Sequence, residues 1–365
     1  MKSVSIGGLI FASLALAACS SEPSVVAAVE PTGTASNAFL TGPCDAPPPD
    51  GAIKPVHGIV ERMKGNRKAW AEHHGYDLLV NPGDEQWAIG SFGYGTAPMM
   101  HEPNHGLQVD VFVLRDCGDT WTHLGSGTTS TDETAQKHRE INGVKDEAGK
   151  FFFKIPRSQQ LGVGRHRVRL VAPTDNTATE LFIYVLEPGT RLAVTDIDGT
   201  LTSSENAAGL DVASAHNWAP DAHEDAATVM QILAKNGYVM MYTTARPEWM
   251  MSRTRWWLNE QQFPPGLVNL SRSALGAIGP FAKKHKVEIF KEVAAKGITP
   301  SFGFGNRKSD LEAYQFARIP SKGLFFFDFE DSLKKTGILA DLSAAGRNIK
   351  SYTDIVAVIE RSAAE

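Results

Sequence analysis

Leu192-Ala193-Val194-Thr195-Asp196-Ile197-Asp198-Gly199-Thr200-Leu201-Thr202 is a short apolar run that delivers two carboxylates and then turns. In an open α/β sheet, reactive groups gather outside the carboxyl ends of the strands. A buried strand at 192–195 therefore leaves Asp196 at its tip and returns Asp198 toward it over a tight turn at Gly199. Two like charges held that close raise each other's pKa unless a cation lies between them, and a hard, oxygen-seeking ion such as Mg²⁺ is the simplest such cation. Taken alone, Asp-Ile-Asp-Gly also reads as an ordinary polar turn.

Three later segments change that balance. Val239-Met240-Met241-Tyr242-Thr243-Thr244 is a second apolar run ending in hydroxyls, Lys286 lies in a helical pattern, and Phe302-Gly303-Phe304-Gly305-Asn306-Arg307-Lys308-Ser309-Asp310 places Asn306 and Asp310 beyond a third run. Four blocks in this order, Asp196-x-Asp198-x-Thr200, Thr244, Lys286 and Gly305-Asn306-x-x-x-Asp310, resemble the haloacid dehalogenase-like phosphatases. Thr244-Ala245-Arg246-Pro247, Thr254-Arg255-x-x-Leu258 and Lys286-Val287-Glu288 narrow the resemblance to the catalytic region of lipins, Mg²⁺-dependent phosphatidate phosphatases. Arg246-Pro247-Glu248-Trp249-Met250 and Trp257 to Gly266 look more like the related carboxyl-terminal domain of phosphatidylinositol-transfer proteins of the retinal-degeneration type. Members of that branch can lack the nucleophile and bind phosphatidate without cleaving it, whereas both aspartates are present here.

The resemblance implies a role for each matching residue. Asp196 is the nucleophile, Asp198 the acid and base, and Thr244 and Lys286 hold the transferring phosphoryl group. Mg²⁺ is held by Asp196, Asp198, Asn306 and Asp310, and Gly199, Thr200, Ala245, Arg246 and Arg307 are candidates for substrate contact. The substrate implied is a lipid phosphate monoester, phosphatidate first. A phospholipid-binding module without turnover and a phosphatase for soluble esters are the rival readings. A pure anion binder gains little from presenting two carboxylates to its ligand.

At the amino terminus, Lys2 precedes a mostly apolar stretch ending in Leu16-Ala17-Ala18-Cys19. This reads as a signal peptide over 1–18 with Cys19 as the lipidated first residue of an exported bacterial lipoprotein, and Ser20 after it points to the outer membrane, facing the periplasm. Residues 19–52, rich in Ala, Pro, Ser and Thr, read as a tether. Cys44 and Cys117 remain as a candidate disulfide in an oxidising compartment.

Residues 53–187 form the next expected domain. A loosely helical pattern at 57–74, with Ile59, Met63 and Trp70, suggests a leading helix. Alternating runs at 86–92, 107–114, 121–124, 150–155, 166–171 and 179–185 give six or more strands, and so a β-sandwich, immunoglobulin-like if it follows the lipins. His101, His105 and His123 are too irregularly spaced to suggest a metal site. Glu187-Pro188-Gly189 then leads almost directly into the catalytic strand, so the two domains should be docked.

For 188–365 the pattern predicts helices at 225–236, from Pro247, and at 281–295, 308–317, 331–340 and 353–363, alternating with strands at 192–195, 238–243, 268–270 and 323–328. The alternation is best built as a three-layer, Rossmann-like α/β domain of haloacid dehalogenase type. The helix at 281–295 is expected to turn Val287, Phe290 and Ala294 inward and Lys286 onto a different face. The segment 203–225, with Trp218, is too short for a large cap, and the Met- and Trp-rich helix after Pro247 offers a candidate lipid-contacting patch. A formal net charge of −5, with no basic, aromatic-interleaved stretch, argues against nucleic acid as a partner. After the amino-terminal stretch no apolar run reaches the length of a membrane span.

Overall fold

The computed structural model describes residues 42–50, 60–64, 67–97, 100–135, 137–204, 219–277, 280–329 and 346–364. Cys19, most of the tether, Trp218 and the expected helix at 331–340 lie outside them.

The chain enters the β-domain as a hairpin and not as a helix. β1 (Val60–Lys64) pairs antiparallel with β2 (Arg67–Ala71), from Val60 opposite Ala71 to Lys64 opposite Arg67. The sequence between them is Gly65-Asn66, a two-residue combination suited to a tight hairpin, and that local signal outweighs a loose helical spacing of three apolar residues. β3 (His74–Gly75), β4 (Leu78–Val80), β5 (Trp87–Ser91), β6 (Gly93–Ala97), β7 (Met100–Pro103), β8 (Gln108–Leu114), β9 (Trp121–Thr128), β10 (Glu140–Ile141), β11 (Val144–Lys145), β12 (Lys150–Lys154), β13 (Gly164–Ala172) and β14 (Thr177–Val185) follow. Three sheets, ordered β4-β14-β13-β8-β9, β12-β5-β3 and β1-β2-β6-β7, share the domain, and β10 pairs only with β11. Val109, Val111, Val113, Val168, Leu170, Leu181, Ile183 and Phe151 alternate inward from the strands to form one buried core.

Cys44 and Cys117 form a disulfide, and arginines of β13 hold the same approach segment. Arg167 donates to the Cys44 carbonyl at 2.7 Å, and Arg169 meets both carboxylate oxygens of Asp50.

β15 (Leu192–Thr195) opens the second domain, followed by α1 (Ala226–Lys235), β16 (Val239–Thr243), α2 (Met251–Glu260), β17 (Gly266–Asn269), α3 (Pro280–Ala295), β18 (Phe302–Gly305), α4 (Lys308–Phe316), β19 (Leu324–Phe327), β20 (Arg347–Ile349) and α5 (Val356–Ala364). The sheet runs β17-β16-β15-β18-β19-β20 with every neighbouring pair parallel. Ala193, Met240, Phe304 and Phe325 point to one face, where they meet α1, α2 and α5; Val194, Met241 and Phe326 point to the other, where they meet α3 and α4. A parallel sheet covered on both faces explains why its strands read as continuous apolar runs. β15 lies between β16 and β18, so its carboxyl end is the central position of the rim.

Two helices differ from the sequence reading. In α3 the inward stripe is Lys286, Ile289, Phe290 and Val293, with half-buried Val287 packed against the same core, whereas Ala294 is exposed. The stripe keeps helical spacing, but it includes a lysine, which a polarity-based reading assigns to solvent. In and beside α2, Met250, Met251, Trp257 and Leu258 are buried in the core, and Trp256 stacks on Arg253 with the guanidinium carbon 4.1 Å from the ring centroid. That apolar bulk fills the space between helix and sheet and is not a lipid-contacting surface.

The domains are joined by more than their short connection. The Gly189 N–H donates to the Gly297 carbonyl at 3.0 Å. Asp77, whose side chain is fully buried, accepts from the backbone N–H groups of Phe182 and Val268 and pairs with Arg255. One carboxylate thus ties β14 of the sandwich to β17 and α2 of the sheet domain.

Candidate functional site

β15 ends as the Asp196 N–H donates to the Phe304 carbonyl at 2.9 Å, which fixes the Asp196 backbone against β18. The chain then winds around the Ile197 carbonyl, which accepts from the N–H groups of Thr200, Leu201 and Thr202. Gly199 adopts φ 75° and donates to the Thr202 hydroxyl at 2.9 Å; a side chain at that φ would be strained. The Thr200 hydroxyl, fully buried, lies 3.4 Å from Asp196 Oδ2 and 3.2 Å from Asn306 Oδ1.

Lys286 reaches the same point from α3. Its ammonium, 3% exposed, donates to Asp196 Oδ1 at 2.6 Å and to Asp310 Oδ1. The other oxygen of Asp310 accepts the backbone N–H groups of Asn306 and Arg307, at 3.0 and 2.9 Å, where a carboxylate also suits the start of α4. One ammonium is therefore shared by two carboxylates. Burial pushes the Asp196 carboxyl up to about 7; Lys286 opposes this, while Asp310 and Asp198 reinforce it. Burial would lower the Lys286 pKa, but the two carboxylates outweigh it and hold the ammonium well above its ordinary value.

Asp198 faces a different cation. Arg246 approaches it as a fork, with Nε 3.0 Å from Oδ2 and an η nitrogen 2.8 Å from Oδ1, and the Thr244 hydroxyl donates to Oδ2 at 2.9 Å. A further η nitrogen of Arg246 donates to the Thr254 hydroxyl at 3.1 Å, anchoring the guanidinium on α2.

The structure thus brings together Asp196, Asp198, Gly199, Thr200, Thr244, Arg246, Lys286, Asn306 and Asp310. Thr244 and Arg246 grip Asp198. The Ala245 carbonyl accepts the Ala277 N–H, so Ala245 shapes the rim through its backbone. Arg307 contributes its N–H to Asp310 while its side chain is exposed. His105 lies 3.8 Å from Asp132, and the His123 ring is tilted against Phe112 with centroids 4.9 Å apart, both in the β-domain.

Among the described residues, no group of three or more His, Cys, Asp or Glu side chains is gathered for a metal ion. The donors suited to a hard cation are of mixed type: Asp196 Oδ2 and Asn306 Oδ1 converge on the single Thr200 hydroxyl. Two side-chain oxygens leave room for water, which Mg²⁺ retains readily, so these residues fit that ion. Asp310 stands one layer back, with both of its oxygens already engaged.

Sequence reasoning missed the outer rim. The loop 271–277 is bonded to the turn carrying Thr244 and Arg246, through Ser271 N–H to the Arg246 carbonyl, Ala277 N–H to the Ala245 carbonyl and Trp249 Nε1 to the Ala274 carbonyl. Leu275 on this loop is 62% exposed, and Phe281, five residues before Lys286, is 70% exposed. A single Leu and a single Phe in a stretch rich in Gly and Ala carry no periodic signal.

This arrangement, a parallel three-layer sheet with paired aspartates at its central carboxyl end behind a β-sandwich, defines the class. Residues 193–328 match the LNS2 domain of PITM 1-3, a lipin-related domain, and residues 71–185 match the PITM 1-3 beta-sandwich domain. Among individual relatives, the chain is 29% identical over 251 residues to protein retinal degeneration B of Drosophila melanogaster, covering 67% of this chain and 17% of that protein. It is 25% identical over 264 residues to human membrane-associated phosphatidylinositol transfer protein 3, covering 71% of this chain and 24% of that protein. The chain therefore spans only a minor part of these relatives. A class C acid phosphatase from Bacillus anthracis superposes at TM-score 0.27 and 15% identity over 48% of this chain and 79% of that one, too weakly to argue from.

Proposed function

We propose that this chain is a Mg²⁺-dependent phosphatase that hydrolyses a lipid phosphate monoester, phosphatidate to diacylglycerol, through an aspartyl-phosphate. The observation that carries the reading is the convergence of Asp196, Asp198 and Lys286 at the end of β15. The Asp196 carboxylate attacks phosphorus; as the new O–P bond forms, the ester O–P bond breaks and Asp198 protonates the leaving alkoxide. Asp198 then takes a proton from water, the water oxygen attacks phosphorus, and the acyl-phosphate bond breaks to return Asp196. Lys286 stabilises the charge that develops on the phosphoryl oxygens, while the Thr244 hydroxyl, which donates to Asp198, holds the proton-transferring carboxylate. Mg²⁺, held by the Asp196 carboxylate, the Asp198 carbonyl and Asn306, would supply Lewis-acid neutralisation of the phosphate.

The lipid substrate is supported by apolar Leu275, exposed on the loop bonded to the turn that holds Asp198, and by exposed Phe281 near the start of the helix that carries Lys286. It also agrees with relatives named as phosphatidylinositol transfer proteins. The same names favour a second reading, a module that binds a phosphorylated lipid without turnover. A Mg²⁺-dependent phosphate-release panel on the full chain in mixed micelles separates the two. Phosphatidate should exceed glycerol phosphate by about 100-fold in kcat/KM, a modest 2.7 kcal/mol or so of differential binding. Equal rates remove the lipid assignment; tight phosphatidate binding with no release establishes the second reading.

The proposed location is the periplasmic face of the outer membrane, through lipid on Cys19, in keeping with the Cys44–Cys117 disulfide of an oxidising compartment. Intact mass of the membrane fraction should show a diacylglyceryl thioether on Cys19. A mature chain beginning elsewhere with a free amino terminus refutes it.

A further inference from the structure

Asp198 is oriented by Arg246, and Arg246 stands at the start of a turn whose next charged residue, Glu248, points out of the sheet domain altogether. Lys150 of β12 donates to Glu248 Oε1 at 2.8 Å, and the Tyr76 hydroxyl donates to Oε2 at 2.6 Å. Lys150 also donates to the Tyr76 oxygen at 2.6 Å, and the His74 ring lies 3.2 Å from that oxygen. Lys150, Tyr76 and His74 are buried residues of the β-sandwich, and the Glu248 side chain is 15% exposed. Burial would raise the Glu248 carboxyl, but Lys150 and then His74 outweigh it and hold it down at about 2.

A buried ion pair is weak as a source of stability, because desolvation offsets much of the attraction; what it supplies without ambiguity is direction. Here the direction is that of the Arg246-Pro247-Glu248 turn. On its far side the turn is held to the loop 271–277 by the Glu248 N–H to the Ser273 carbonyl, the Ser271 N–H to the Arg246 carbonyl, the Ala277 N–H to the Ala245 carbonyl and the Trp249 indole to the Ala274 carbonyl, none of them an ion pair.

We propose that the β-sandwich sets the position of the proton-transferring Asp198, through Lys150 and Tyr76 gripping Glu248 and thereby aiming the Arg246 fork. Lys150, Tyr76 and Glu248 are positioning residues, and the sandwich is a working part of the site. The inference rests on the phosphatase reading for its catalytic consequence, but its mechanical half is separately measurable.

The test uses the full chain carrying Lys150→Met, Tyr76→Phe, Lys150→Arg, or Lys150→Met together with Glu248→Met; the last leaves no unpaired buried charge and guards against simple unfolding. Amide exchange of 244–250 should quicken about tenfold in K150M and in the double variant while β15 stays protected. Turnover of an alkyl ester, which needs a proton for its leaving group, should fall about 30-fold in kcat with little change in KM. Measured as kcat/KM, which covers only formation of the aspartyl-phosphate, hydrolysis of p-nitrophenyl phosphate, whose leaving group needs no proton, should fall less than about 3-fold, and K150R should recover most of the loss on the alkyl ester. Y76F should show the same pattern more weakly. Equal losses on both esters would reduce the role to general stability and overturn the proposal, as would unchanged exchange at 244–250. If the wild type releases phosphate from no ester, the phosphatase reading fails and the exchange result alone decides the coupling.

Discussion

Asp196 holds the most contested charge in the site. It shares the Lys286 ammonium with Asp310, is buried, and has its carboxyl pushed up to about 7 from an ordinary 3.8. A raised carboxyl pKa means that the folded state binds the proton more tightly than the unfolded chain does. The stability this contributes is complete below about 3.8 and is lost as pH rises through about 7. Asp196→Asn removes the charge while keeping the shape, and it leaves Lys286 to Asp310 alone. In chelator, the thermal midpoint of D196N should therefore gain on that of the wild type as pH rises from 4 to 8, with roughly 4 kcal/mol as a ceiling. Thermal melts of both proteins across that range check this, and a gap that narrows with rising pH would refute it. The same variant should release no phosphate in the Mg²⁺ assay, since it lacks the attacking oxygen; turnover within tenfold of the wild type would remove Asp196 as nucleophile.

At the scale of elements, each group proposed as catalytic owes its place to a strand end or the first turns of a helix, which is why so much of the site was legible. Thr195-Asp196, Thr243-Thr244 and Gly305-Asn306 each close an apolar run with polar residues, and such a boundary is visible in sequence because a fully buried parallel strand tolerates few polar groups before its end. What sequence left ambiguous was which way a polar residue points. Lys286 sits in the inward stripe of α3 because two carboxylates wait there, and those arrive from β15 and α4, 90 residues earlier and 24 later. Arg246 reads equally well as a surface cation or a phosphate ligand until Asp198 is seen within its fork. The three-residue β20 was missed because Arg347-Asn348-Ile349 is too short and too polar to mark a strand, though it pairs in register with β19 at the sheet edge. The β1-β2 hairpin was missed because three apolar residues at loose spacing resemble a helix, and the Gly65-Asn66 pair that decides otherwise is a purely local signal.

For the whole molecule, the question is how a chain whose Met- and Trp-rich helix turns inward can still meet a lipid. Core packing has consumed Met250, Met251, Trp257 and Leu258. Leu275 remains exposed on the loop bonded to the turn carrying Thr244 and Arg246, and Phe281 near the start of the helix that carries Lys286. If the headgroup enters at Asp196 while the acyl chains stay in a bilayer, these two side chains are, among the described residues, exposed apolar groups available to the interface. Fully burying one such side chain is worth about 1.5–3 kcal/mol, and 1.4 kcal/mol is about a tenfold change in an equilibrium. Replacing both with Ser should therefore lower kcat/KM on phosphatidate vesicles by at least about tenfold, allowing for partial insertion. Turnover of p-nitrophenyl phosphate should stay within about twofold, because neither residue touches the carboxylates or Lys286. Vesicle flotation at matched lipid concentration should show weaker binding of the same variant in parallel. Unchanged vesicle turnover in L275S/F281S would show that the membrane approaches from another side, and parallel losses on both substrates would show that the loop supports the site and not the surface.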